Sequence, residues 1–239
     1  YQPAKTVRQV ENEAGIPTWA MTQQTYNEHG LPLESVDEKG RKTKIVYAAN
    51  NQDVSTVQTW INGAWVTLKS FIYAPAPNTR LPATITEVSG LTTGYLYNAS
   101  GQVTQVTTSK ASNSEAVRYT YSAHPTTAPA AWPGAPGFLR KIEKTSPANP
   151  VLWVSTDEFT YDSTNRVRTH LDAGNYQTTC DYDNFDRLTL VTHPDGSTQQ
   201  FAYQYLDLAA TKDRAGRWSR TAYNEVRQPV AQLSPDGKI

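Results

Sequence analysis

The 239-residue chain has one cysteine, Cys180, and one methionine. A single thiol excludes an intrachain disulfide and any cysteine-cluster zinc site, and with them a small disulfide-built secreted domain. A larger exported protein stays open. An excess of either charge is missing too, because 22 lysines and arginines face 22 aspartates and glutamates. Without surplus cations to displace counterions, neither sequence-independent nucleic-acid binding nor a polybasic membrane patch is expected. No apolar run approaches the ~20 residues that a bilayer-spanning helix needs. No stretch holds the i, i+3, i+4, i+7 apolar pattern for a dozen residues, so long helices are not expected either. The chain starts at Tyr1 with no charged segment leading into an apolar core. No signal peptide is therefore expected, and the sequence reads as a piece cut from something longer.

What the chain does have is strand-forming material. Fourteen tyrosines, six tryptophans and five phenylalanines accompany many valines and threonines, and 13 glycines and 15 prolines are spread along the whole length. β-Branched and aromatic side chains suit a pleated, half-buried surface. The tyrosines also recur. Tyr161, Tyr182, Tyr203 and Tyr223 are 21, 21 and 20 residues apart, and Tyr26 and Tyr47 repeat the 21. From Tyr47 through Tyr73 and Tyr97 to Tyr121 the spacing loosens to 26, 24 and 24. The wider gap before Tyr161 holds a Pro-rich insertion, residues 124–137, expected as a surface loop because proline cannot donate to a ladder.

Each period predicts two strands and two turns. Alternating aromatic or apolar pairs enter the first turn, as in Tyr95/Tyr97, Phe159/Tyr161, Cys180/Tyr182 and Phe201/Tyr203. A spacing of two places both members on one face of a strand. Asn27, Asn98, Asp162, Asp183 and Asn224 follow the second member, and Gly30, Gly101, Asn165 and Asp186 come three residues later. That pattern predicts a type I turn with a G1 bulge. Arg227 stands at the fourth place of the last copy and is expected to break the rule. Second turns are predicted at Asp37–Gly40, Asp172–Asn175, Pro194–Ser197 and Asp213–Gly216, and Asn62-Gly63 marks a further hairpin between Trp60 and Trp65. A chain that folds back every ten residues or so is an antiparallel meander. Tyrosine pairs should line one face, with Thr, Ser, Gln and Arg on the other.

The segments Phe159-Thr160-Tyr161-Asp162-Ser163-Thr164-Asn165-Arg166-Val167 and Cys180-Asp181-Tyr182-Asp183-Asn184-Phe185-Asp186-Arg187-Leu188 resemble the YD repeat, Y-x-Y-D-x-x-G-R-L. Asp213-Arg214-Ala215-Gly216-Arg217 and Pro194-Asp195-Gly196 resemble the turns between such units. The chain is thereby similar to the Rhs/YD-repeat family, which includes bacterial Rhs polymorphic toxins, the C component of Tc toxins and, more distantly, the teneurins. The copies are imperfect: Asn165 and Asp186 replace Gly, Gln204 follows Tyr203, and Thr221 fills an aromatic place. The likeness is dense over 159–239 and degenerate over 1–158, giving one continuous array read in two parts.

The resemblance implies an all-β fold of antiparallel hairpin repeats forming part of a spiralling shell, with a mechanical function: enclosing a C-terminal cytotoxic domain until delivery. Implied partners are other shell segments, the enclosed toxin domain and a delivery apparatus of type VI or Tc-like kind, in a protein exported from a bacterium. No cofactor, nucleic-acid or membrane partner is implied, and the family's Asp-Pro-x-Gly processing motif is missing, so no protease role is carried over. A surface adhesin or carbohydrate-binding β-module is the alternative.

Side chains with chemical potential have plainer readings. Cys180 could act as a nucleophile with His170 or His193, but it stands where other copies carry an inward aromatic, and a buried thiol without a cation is inert. His29, His124, His170 and His193 share no metal-ligand spacing. Asp181, Asp183 and Asp186 suggest calcium, yet Phe185 occupies a ligand place and no late Glu follows; Asp183 and Asp186 fit two corners of a turn. No glycosidase carboxylate pair can be told from the turn aspartates. Trp19, Trp60, Trp65, Trp132, Trp153 and Trp218 could form a sugar platform, although cross-strand packing accounts for Trp60 and Trp65. No catalytic, cofactor or metal residue is assigned.

Overall fold

The computed structural model describes residues 5–11, 17–122, 137–146 and 149–234. Among them there is no helix, and nineteen strands pair antiparallel. The Pro-rich stretch expected as a loop lies outside the described residues except for Gly137, and His124 and Trp132 lie outside with it.

The chain divides into two compact units. The first contains β1 (Lys5–Glu11), β2 (Pro17–Tyr26), β3 (Pro32–Val36), β4 (Lys42–Tyr47), β5 (Val54–Ile61), β6 (Ala64–Tyr73), β7 (Pro82–Glu87), β8 (Thr92–Tyr97), β9 (Val103–Lys110) and the start of β10 (Asn113–Tyr121). From β1 to β9 each strand pairs with the next in sequence. The second unit begins at Arg118 and contains β11 (Leu139–Ser146), β12 (Asn149–Tyr161), β13 (Val167–Asp172), β14 (Gln177–Tyr182), β15 (Leu188–Thr192), β16 (Thr198–Gln204), β17 (Asp207–Lys212), β18 (Trp218–Tyr223) and β19 (Pro229–Leu233). Its strands from β11 onward are again paired in sequence order.

Residues directly opposite each other on paired strands share a face, so the register sorts the side chains. On one face of the second unit lie Phe159 opposite His170, Cys180 opposite Val191, and Phe201 opposite Thr211. The other face carries a hydroxyl row across β12 to β16: Thr160, Thr169, Thr179, Thr192 and Thr198, each opposite the next. The first unit repeats this with Thr56, Ser70, Thr86, Thr92 and Ser109. The expected division into an aromatic and a hydroxyl-rich face is therefore present, although Ile72 and Leu96 also stand exposed opposite the tyrosines.

Layering is minimal. Among the described residues only Ala20, Ala116 and Asp53 are buried. A sheet packed on a second layer would hide whole Val, Ile and Phe side chains. Here cohesion comes from the ladder and from contacts running along the sheet, rung to rung.

Candidate functional site, a tyrosine ladder between Asp–Arg turns

The recurring tyrosines close each rung in the same way. Each sits just after a register shift, and all but Tyr203 end their strand opposite the first residue of the next: Tyr26 with Pro32, Tyr47 with Val54, Tyr73 with Pro82, Tyr97 with Val103, Tyr161 with Val167, Tyr182 with Leu188, and Tyr223 with Pro229. Tyr203, one residue short of its strand end, faces Leu208, the second residue of β17. The next tyrosine then reaches back to that partner residue. Tyr47 donates its hydroxyl to the Pro32 carbonyl at 2.8 Å, Tyr73 to Val54 at 2.9 Å and Tyr97 to Pro82 at 2.7 Å. In the second unit Tyr161 donates to Leu139 at 2.7 Å, Tyr182 to Val167 and Tyr203 to Leu188 at 3.0 Å, and Tyr223 to Leu208 at 3.1 Å. Each phenol thus ties its own rung to the preceding one. Burial pushes the Tyr47, Tyr73, Tyr97, Tyr161 and Tyr182 phenols above their ordinary pKa, which keeps them protonated donors.

The ladder also explains where the period loosens. Donor and acceptor are 15 residues apart for Tyr47, Tyr97, Tyr182, Tyr203 and Tyr223. The separation is 19 for Tyr73 and 22 for Tyr161, where the hairpins between are longer. Added residues go into the hairpin there, or, before Tyr97, into the longer turn between Tyr73 and Pro82, and leave the contact in place.

The turn after each tyrosine follows from its first corner. In the rung led by Tyr161, the Asp162 amide donates to the Arg166 carbonyl at 2.9 Å and the Asn165 amide to the Asp162 carbonyl at 3.0 Å. Asn165 takes φ 68°, which Asn tolerates better than most side chains. The Asp162 Oδ1 accepts the amides of Thr164 and Arg166 at 2.9 and 3.0 Å. Asp183 and Asn98 hold their turns in the same way. Asp183 and Asp186 are the two corners of one turn, with Asp186 at φ 62°.

One turn starts differently from the sequence expectation: the Pro194–Ser197 turn has His193 as first corner, with Gly196 fourth. The turn predicted at Asp172–Asn175 is in place, with positive φ on Asn175. The turn with the weakest sequence support, the one whose fourth place Arg227 fills, forms all the same. Arg227 does not break the last turn; it adopts φ 63°, its amide donates to the Asn224 carbonyl at 2.9 Å, and its guanidinium meets Asp207 at 2.7 Å. The Asn224 side chain accepting the Val226 and Gln228 amides, together with that ion pair, outweighs the cost of a left-handed arginine. The copy in which Gln204 follows Tyr203 uses a two-residue hairpin, with Gln204 opposite Asp207 and Tyr205 at φ 55°.

The arginine four residues after the corner aspartate is the functional element that sequence reasoning passed over, although the R of the repeat motif marks it. Arg41, Arg166, Arg187 and Arg217 each place Nε 2.5–2.9 Å from the corner carboxylate of their own turn. Two of them also reach forward. Arg166 donates to the Asp183 carbonyl at 2.8 Å and the Asp186 carboxylate at 2.9 Å, and its guanidinium lies 4.8 Å from the centre of the Tyr182 ring. Arg187 donates to the Tyr205 carbonyl and covers Tyr203 at 4.3 Å. One side chain thus closes its own turn, pins the next, and caps the next ladder ring.

These contacts hold the corner carboxylates below the ordinary range. The Arg187 guanidinium lowers Asp183, and the Arg217 amide lowers Asp213. Burial would raise Asp162, but the Arg166 amide and guanidinium outweigh it. The Ser197 hydroxyl and amide bring Asp195 to about 2. A carboxylate whose folded pKa is depressed contributes stability above its unfolded value, ordinarily 3.8, and loses it as pH falls through the folded value. The thermal midpoint should therefore be flat from neutral pH to about pH 5 and drop between about pH 4 and 2. Asp195→Asn should shrink that drop; a midpoint falling instead between neutrality and pH 5 would remove the turn carboxylates as its cause.

The remaining candidates do not converge. The Cys180 thiol is pushed up by burial. His170 Nε2 lies 2.7 Å from Asp157, with its ring stacked on Phe159 at 4.8 Å, and His193 meets Gln199. His29 sits beside Glu28 at a turn. Asp181 is paired with Arg168. Among the described residues no three His, Cys, Asp or Glu side chains could hold a metal ion. Trp60 and Trp65 meet edge to face at 5.3 Å and 72°, and Trp153 lies beneath Arg118.

A family model described as "RHS Repeat" matches residues 161–198, which run from the ladder tyrosine of one rung to the opening of β16. The chain is similar in fold to a Photorhabdus luminescens Tc holotoxin pore structure, at 15% identity and TM-score 0.59 over 94% of its length. It is also similar to the crystal structure titled TcdB2-TccC3, at 14% identity and TM-score 0.60 over 95%. It spans only 13% and 14% of those two chains. No curated protein matches the sequence.

Proposed function

Because this chain is built of Rhs/YD repeats, we propose that it serves as a non-enzymatic segment of an encapsulating β-shell, which protects a C-terminal cytotoxic domain of an exported bacterial protein and helps deliver it. The observation that carries this reading is the ladder: tyrosines at equivalent places on successive rungs, each tied to the rung before. Such a sheet is stabilised by propagation and needs no core of its own, which suits a wall. The turn aspartates are occupied in structure, and the similar folds are Tc toxin assemblies. In this reading the 1–158 and 159–239 portions are one array, and the remaining wall comes from further repeats.

The test is protease protection. The parent protein, expressed whole, should keep a C-terminal segment resistant to protease until the repeats are denatured. A C-terminal region cut as fast as a free peptide, with the repeats intact, would overturn the proposal. The adhesin alternative requires a coplanar ring platform, and the 72° angle between Trp60 and Trp65 does not supply one.

A further inference from the structure

One hairpin departs from the repeat in a way that the wall does not require. The last β4–β5 pair is Thr43 with Thr59, and the last β6–β7 pair is Lys69 with Glu87. The segment Trp60–Thr67 has ladder partners only within its own hairpin, and it extends about 13 Å beyond its last bond on the β7 side, from the Val88 amide to the Leu68 carbonyl, at the usual rise per residue. Its end is a two-residue turn, Asn62 and Gly63 at φ 50° and 83°, which gives a stiff, convex tip. Trp60 opposite Trp65 forms its shaft, and Trp60 is 40% exposed, Ile61 47% and Val88 on the adjoining turn 64%. Two cations flank the rings. Lys42 Nζ lies 5.7 Å from the centre of Trp60, and Lys44 Nζ lies 5.5 Å from Trp65. Lys44 also meets Glu34 at 3.5 Å, whereas Lys42 has no acidic partner among the described residues.

We propose that this tip is a contact site for an anionic phospholipid surface. Indole rings with a polar edge favour the headgroup zone, an exposed isoleucine adds apolar area, and lysines keep their charge at the phosphate level while their stems lie along the rings. The tip is convex, so it is not a groove for a peptide, and its rings are edge to face, so it is not a platform for a sugar. A cluster of this size anchors weakly by apolar burial alone, and the contact depends on negatively charged lipid. No polybasic run is needed for a local, reversible contact of this kind. The inference does not rest on the encapsulation proposal and can fail separately from it.

The intact chain should sediment with vesicles of phosphatidylcholine containing a quarter phosphatidylserine, at about tenfold higher affinity than with phosphatidylcholine alone. Trp60→Thr with Trp65→Thr should abolish sedimentation, and Lys42→Glu should remove the preference for phosphatidylserine. If the double tryptophan variant loses its far-ultraviolet strand signal, Ile61→Asp at the exposed tip carries the same test. No sedimentation of the parent chain, equal binding to both vesicles, or binding unchanged in the folded tip variants would each overturn the proposal.

Discussion

Tyr182→Phe is expected to lower the stability of the second unit by about 1 kcal/mol, and Tyr182→Ala by about 3 kcal/mol. The phenylalanine variant keeps the ring under the Arg166 guanidinium and loses the hydroxyl, which is donated to the Val167 carbonyl and also meets the Cys180 thiol. That carbonyl is half-buried, so its lost partner is only partly replaced by water. The alanine variant also removes the ring, unseating Arg166. Tyr205→Phe is the control. Tyr205 is 88% exposed at a hairpin tip, and its substitution should fall within about 0.5 kcal/mol of the parent. Denaturant melts of the three variants check this. Equal costs for Tyr182→Phe and Tyr205→Phe would mean that the ladder hydroxyls hold nothing.

Asp162→Ala should cost about 2 kcal/mol and Asp162→Asn about 1 kcal/mol. Alanine strands the Thr164 and Arg166 amides together with the Thr164 hydroxyl, all of which Oδ1 accepts. Asparagine preserves that acceptor and gives up only the bond from the Arg166 guanidinium to Oδ2. The protein already contains this comparison, since Asn98 and Asn224 hold their turns through Oδ1 with Gln102 and Gln228 in place of the arginine. The Asp162 side chain is 19% exposed, so solvent screens part of the ion pair, and the backbone bonds should dominate. Melts of both variants, with an Arg166→Ala cycle, separate the two contributions. Asparagine costing as much as alanine would reverse that order.

The strand succession, the face division and most corners were legible because they rest on local chemistry. An Asp or Asn followed three residues later by a residue tolerant of positive φ specifies a turn within five residues, and period-two aromatics specify a face. What local patterns do not carry was missed. The Tyr182 hydroxyl bond to Val167 joins residues 15 apart on the two strands of one hairpin, and only register reveals it. Arg166 stands in the sequence as one more turn charge, but its reach to Asp183 and Asp186 needs the next rung in place. Arg227 was misjudged because intrinsic preference for positive φ is weak beside a capped turn and an ion pair. The turn at His193 starts one residue before the predicted Pro194 because the Asp195-Gly196 pair marks the middle of a turn and not its first corner, which the bond from the Gly196 amide to the His193 carbonyl fixes.

That next to nothing in the described sheet is hidden from solvent has a mechanical consequence. A globule pulled by its ends resists until its interior ruptures and then gives way at once. Here the ladder joins adjacent strands, and a turn arginine such as Arg166 reaches only to the next rung, so a hairpin can peel while the one behind it keeps its grip. Drawn through a narrow opening or stretched in an optical trap, the polypeptide should yield as a train of small, similar releases, one per pair of strands, with no single commanding break.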